Sequence, residues 1–164
     1  METIAIVHQI DEIDETGARG SYLSINKGKD EAAGTVLIGQ RVTIPQDVSK
    51  MELSVDYQCF CPLEERSGMV SLGVFRPDVW DKMPSDPMDV KGGANRGNIY
   101  NEWVKQQGPD QTEWARGSVD SAKLSAKLKR HAGKEVVVAV GFLPWHQTNK
   151  EYAKFDNLSL TPAK

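Results

Sequence analysis

Three of the four tryptophans stand beside side chains that could hydrogen-bond a hydroxylated ligand. Trp80 lies amid Asp78, Asp81 and Lys82. Trp145 is followed by His146, Gln147 and Asn149. Tyr100 and Trp103 sit three residues apart. An aromatic face packs against C–H groups, and the hydroxyls around a pyranose need amides, acids or guanidinium groups at its rim. A sugar is the ligand class that asks for both at once. The competing role for each ring is to pin its own segment to the core. Glu52, Asp56 and Gln58 share one parity of an alternating segment and offer a second, sheet-face surface. The aromatics lie in or next to the connecting segments, so a loop-rim site is the stronger expectation.

Other chemistry has weaker support. Asp11, Glu12, Asp14 and Glu15 cluster ahead of a glycine-containing turn, and hard cations take carboxylate and carbonyl oxygens. The histidines are His8, His131 and His146. His146 and Tyr152, with Arg76 or Arg96, could form the base, acid and charge-neutralising set of a polysaccharide β-elimination. Cys59 and Cys61 are two apart, so on a strand they share a face, and they read as buried thiols. No nucleophile elbow, P-loop or zinc spacing is present. Asn157-Leu158-Ser159 matches a glycosylation sequon but falls on an expected packed strand, where it reads as structural.

The elements that must position these residues are mostly strands. Met51–Cys61 alternates Met51, Leu53, Val55, Tyr57, Cys59 and Cys61 against polar residues. Thr35–Pro45 alternates less cleanly, with Gln40 on the expected inward face. Ser21–Asn26, Gly68–Phe75 and Lys154–Thr161 read as strands, with Asn98–Gln107 and Glu113–Val119 as further candidates. Glu135–Leu143 is apolar on both parities and reads as a central strand. Ser121–His131 spaces Leu124 and Leu128 four apart, with Asp120 or Ser121 as cap and Gly133 beyond; it predicts one short helix. Arg76–Gly97 and Pro144–Tyr152 read as loops, the first long enough to suggest function. The chain of 164 residues suits one domain, 1–164, and its 39% apolar content argues against disorder. A net charge of −3 gives no overall basic character for nucleic acid, and no apolar run approaches a membrane span, so neither partner is expected. No signal peptide is visible at Met1, which fits a cytoplasmic protein or a domain whose export signal lay elsewhere.

Several segments, in order, resemble β-jelly-roll carbohydrate-binding modules of the galactose-binding-like superfamily. Gly17-Ala18-Arg19-Gly20-Ser21-Tyr22-Leu23-Ser24-Ile25 is similar to a strand near their start. Gln40-Arg41-Val42-Thr43-Ile44-Pro45 and Met51-Glu52-Leu53-Ser54-Val55-Asp56-Tyr57 resemble the two that follow. Glu113-Trp114-Ala115-Arg116 and Phe155-Asp156-Asn157-Leu158-Ser159-Leu160 resemble later ones. The resemblance implies an all-β antiparallel sandwich with one short helix, and a core position for Trp114. It implies a non-catalytic module for a polysaccharide or oligosaccharide, ancillary to a polysaccharide-degrading glycoside hydrolase and linked to it in the parent protein. It also implies a secreted or cell-surface location. The ligand set expected from the aromatics and their polar neighbours is Trp80, Tyr100, Trp103, Trp145, His146, Gln147 and Asn149. A structural calcium between Asp14, Glu15 and Asp156 is implied as well. The alternatives are a small polysaccharide lyase of jelly-roll fold and a protein-interaction domain without a sugar ligand.

Overall fold

The computed structural model describes the backbone of residues 2–5, 10–14, 23–27 and 36. It describes backbone and side chains together over 37–62, 65–82, 98–144 and 151–162. Two five-stranded antiparallel sheets face each other across one core. The first runs β1 (Glu2–Ala5), β4 (Val36–Thr43), β11 (Glu135–Leu143), β7 (Met69–Phe75), β8 (Asn98–Lys105). The second runs β10 (Gln111–Ser118), β5 (Met51–Phe60), β12 (Glu151–Pro162), β3 (Leu23–Lys27), β2 (Ile10–Asp14). A short β6 (Arg66–Ser67) and β9 (Gly108–Pro109) pair separately. This is the antiparallel sandwich that the alternating segments imply.

Period-two patterning explains the core. Met51, Leu53, Val55, Tyr57 and Cys59 point inward from β5, while Glu52, Asp56, Gln58 and Phe60 stay partly exposed. β11 is the middle strand of its sheet and is covered on both sides, as its two apolar parities require. Val136, Val138, Val140 and Phe142 face the main core. Val137 and Ala139 face a second cluster with Leu37, Phe75 and Trp80. Gln40 pairs with Val138 yet remains exposed, so its parity places it inward without burying it.

The helix forms where capping and spacing predict. In α2 (Ser121–Leu128) the Asp120 carboxylate accepts from the Lys123 N–H at 3.0 Å, and Leu124 and Leu128 are fully buried. Ser121 Oγ donates to the Met51 carbonyl at 2.6 Å, and Ser125 Oγ accepts from the Met51 N–H at 2.8 Å. The helix thus closes the sandwich at the first residue of β5. A 3-10 turn (Lys129–His131) continues it, and Gly133, at φ +70°, returns the chain against Gln46.

Two loop expectations are corrected. The segment beginning at Arg76 opens with a short helix, α1 (Pro77–Trp80), started by a proline whose missing N–H costs nothing at a first turn. Glu151 and Tyr152 belong to β12, not to a loop. Arg41 ties α1 to the sheet through Asp81 at 2.5 Å and also meets Glu135 at 3.4 Å.

Candidate functional site

The outer face of the β10-β5-β12-β3-β2 sheet gathers the side chains that could hold a hydroxylated ligand. Tyr152 of β12 lies directly across from Phe60 of β5, and Asn26 of β3 continues the same row. The two rings stack with centroids 5.2 Å apart and planes 16° apart. At that distance they cannot lie edge to edge in one plane, so they overlap face to face. Each ring keeps one face clear of the other. Lys154 Nζ is 5.8 Å from the Phe60 centroid. Glu151, immediately before Tyr152, is fully buried and accepts from the Gly68 N–H at 3.3 Å, which anchors the start of this strand.

Polar groups fill the next rows. Gln58 Nε2 donates to the Thr112 carbonyl at 2.5 Å, tethering β5 to β10. Arg116 donates to Ser54 Oγ at 2.6 Å and pairs with Asp56 at 3.4 Å and Glu52 at 3.6 Å. Asp56 and Asp156 are cross-strand neighbours, an arrangement that is repulsive by itself. Arg116 on one side and Asn157 Nδ2, donating to Asp56 at 2.9 Å, offset it. Asn157 sits at φ 53° in a β-bulge, and its own N–H donates to Asp156 Oδ1 at 2.7 Å. The result is a polar strip with fixed amide, guanidinium and carboxylate groups beside an aromatic pair.

The residues expected to bind are placed very differently. Trp80 is only 2% exposed. It lies on the outer face of the other sheet, tilted against Phe75 at 5.6 Å, over a backbone bared by Gly39. It pins α1 and has no face to offer, which corrects its assignment to a ligand platform. Tyr100 packs on the core and donates its hydroxyl to Glu102; burial first, then Glu102, holds its ionisation well above the usual range. Trp103 is half-buried on edge strand β8, across from Ser71. Neither joins the aromatic pair, which lies on the opposite sheet. Trp145, His146, Gln147 and Asn149 lie outside the described residues. Trp114 is half-buried and absent from the core cluster; Ala115 takes the inward position opposite Tyr57. Trp114 lies in the register shift before Ala115, two residues before Arg116, and its absence from the core cluster corrects its expected core position.

Of the calcium set Asp14, Glu15 and Asp156, only Asp156 has a described side chain. Asp14 pairs with Ser24, which lies in the row of Lys154, whereas Asp156 is two residues further along and two strands away. Strand spacing and rise put the two Cα positions roughly 12 Å apart. The Asp156 carboxylate is instead satisfied locally. Glu15 lies outside the described residues. The elimination set does not assemble around Arg76 either. Arg76 follows Phe75 and pairs with Asp78, while Tyr152 stands at the sandwich end marked by Gly68 and Met69. His146 and Arg96 lie outside the described residues. Cys59 and Cys61 are buried free thiols, as expected, and burial pushes the Cys59 thiol up to about 11.

Phe60, Arg116 and Lys154 are the residues that reading the sequence missed, and it points to Tyr152 only for an elimination set, not as half of an aromatic pair. The signal was available: Phe60 is an aromatic on the polar parity of an otherwise clean strand.

The fold defines an antiparallel β-sandwich. No family model and no curated protein sequence matches the chain. Solved structures do match in shape. The family 30 carbohydrate-binding module of a Clostridium thermocellum cellulosomal cellulase aligns over 97% of this chain and 87% of its own, at 14% identity and a TM-score of 0.51. Another family 30 carbohydrate-binding module aligns over 96% and 78%, at 14% identity and TM-score 0.49. A structure described as CBM4 aligns over 94% and 91%, at 12% identity and TM-score 0.43. The first of these shares the sandwich fold of this chain.

Proposed function

We propose that the chain is a non-catalytic carbohydrate-binding module whose ligand lies across the outer face of the β10-β5-β12-β3-β2 sheet. The observation that carries this is the Phe60–Tyr152 stack standing on an otherwise polar, partly exposed sheet face. An aromatic pair there is not needed for the core, which lies on the other side. The partly exposed aromatic pair suits pyranose C–H groups, while Gln58, Asp56, Asn157 and Arg116 supply partners for hydroxyls. Hydrogen bonds already fix these groups, so little side-chain entropy is lost on binding. The shared fold with a cellulase module supports the reading at the level of architecture. A role beside a polysaccharide-degrading catalytic domain, outside the cell, follows as part of the same proposal.

Affinity electrophoresis and calorimetry against soluble neutral polysaccharides test it. Phe60→Ala and Tyr152→Ala should each weaken binding by about tenfold or more. Trp80→Phe, away from the face, should leave it unchanged. Absence of binding to every glycan, or binding indifferent to both ring deletions, would sink the proposal.

A further inference from the structure

The segment Ser121–Lys134 concentrates charge in a way the whole-chain balance conceals. It holds Lys123, Lys127, Lys129, Arg130 and Lys134, together with His131, and no acid. Removing these five bases from the chain's 20 leaves 15 against 23 acids in the remaining residues. All five are exposed, because Leu124 and Leu128 take the buried side of α2. Lys123 is engaged with Asp120 at 3.5 Å, and Lys134 Nζ donates to the Arg130 carbonyl at 3.1 Å. Lys127, Lys129 and Arg130 have no acidic partner among the described residues. The crowding is felt locally: after burial, Lys134, Arg76 and Arg130 are what hold the His131 pKa below its usual value.

This cap is remote from the sheet-face site. It sits over Met51, the first residue of β5, and Phe60 is the last. Nine strand steps separate them by roughly 30 Å. A short ligand on the aromatic pair does not reach the cap.

We propose that this cationic cap is a separate contact surface for an acidic polysaccharide chain bearing carboxylates. Its exposed charges are four lysines and one arginine, and the only exposed apolar side chains among them are the methyl groups of Ala122 and Ala126, with no exposed aromatic and no exposed large apolar residue. Base stacking and membrane insertion both need such side chains. A flat anionic bilayer or a duplex would also press against the acid-rich remainder of the molecule, whereas a narrow flexible polyanion can follow the cap alone. Repeated carboxylates match point-charge ammonium groups without a fixed fork geometry. The inference stands apart from the sheet-face proposal, because it uses none of the same residues.

Amide chemical-shift mapping on the full chain, with a polygalacturonate oligomer as probe, tests it. Shifts should gather in 121–134 at low salt and vanish at high salt, since exposed charges are screened over about 10 Å at 0.1 M. Lys127→Gln/Arg130→Gln should weaken binding about tenfold while α2 stays folded by its own amide pattern. A neutral glucan oligomer should leave 121–134 untouched, whatever it does at Phe60 and Tyr152. No shifts in this segment, or affinity unchanged in the double variant, would overturn the proposal. Tighter capture by phosphatidylserine vesicles or by an oligonucleotide through the same residues would overturn the choice of ligand.

Discussion

Gly39→Ala isolates what Trp80 does. A Cβ at Gly39 would stand 2.6 and 2.7 Å from two Trp80 ring carbons and 2.7 Å from Val137 Cγ1. Ordinary carbon contacts lie at about 3.5–4.0 Å, so one methyl group overlaps three atoms by about 1 Å. The ring is wedged against Phe75 and the valine is β-branched, so neither yields cheaply. Overpacking of this kind costs about 1–3 kcal/mol, and the double contact places Gly39→Ala near the top of that range. Trp80→Ala alone should cost about 3–5 kcal/mol, from lost burial and the cavity left behind. Shortening the ring while adding the methyl, in Gly39→Ala/Trp80→Phe, should recover part of the loss. The cycle of wild type, Gly39→Ala, Trp80→Phe and the double variant should show a favourable coupling of at least about 1 kcal/mol. Equilibrium urea unfolding followed by far-ultraviolet circular dichroism measures all four proteins. If Gly39→Ala is neutral, or the double variant loses the simple sum, Trp80 is not seated on Gly39 and its role as a pin is wrong.

Three further outcomes follow from the same geometry. Asp120→Ala should lower the midpoint of thermal unfolding; its carboxyl is held below the usual 3.8 chiefly by the Lys123 N–H, so the wild-type advantage is present above that value and fades as pH falls through the lower folded pKa, which thermal scans across acidic pH would show. Asn157→Gly should keep the backbone of the bulge, whereas Asn157→Val forces a β-branched residue to φ 53° and should cost roughly 1–3 kcal/mol in urea unfolding. Iodoacetamide at pH 8 should leave Cys59 unmodified in the folded protein and alkylate it after unfolding; rapid labelling of the native chain would contradict its burial and raised pKa.

Local patterning carried most of the architecture. The alternation of Met51–Phe60, the double apolarity of Glu135–Leu143 and the capped spacing of Ser121–Leu128 each report an element by which side it buries. The site was harder to see because it depends on pairings distant in sequence. Nothing near Trp80 announces that Gly39, 41 residues earlier, bares the backbone beneath it. Phe60 and Tyr152 are 92 residues apart and become a stack only through the β5–β12 register. The polar composition before Tyr152 suggested a loop, yet Glu151, immediately before it, is fully buried at the start of β12. Trp114 was misread for a related reason: which parity of β10 faces inward is set by Ala115 and Gly117 meeting Tyr57 and Val55.

The bulge at Asn157 has an unusual property when the two strands are counted against each other. From Asp156 to Ser159 is three steps, while the partner moves two, from Asp56 to Ser54. Phe155 and Leu158 both face the core, on either side of the surplus residue. Deleting Asn157 would therefore leave Phe155, Leu158 and Leu160 in phase, as one uninterrupted alternation. The core has no use for the extra residue. Its side-chain amide and its backbone N–H both serve the opposite surface, at Asp56 and Asp156. In this strand, chain length is tuned to the outer face while the interior is indifferent to it.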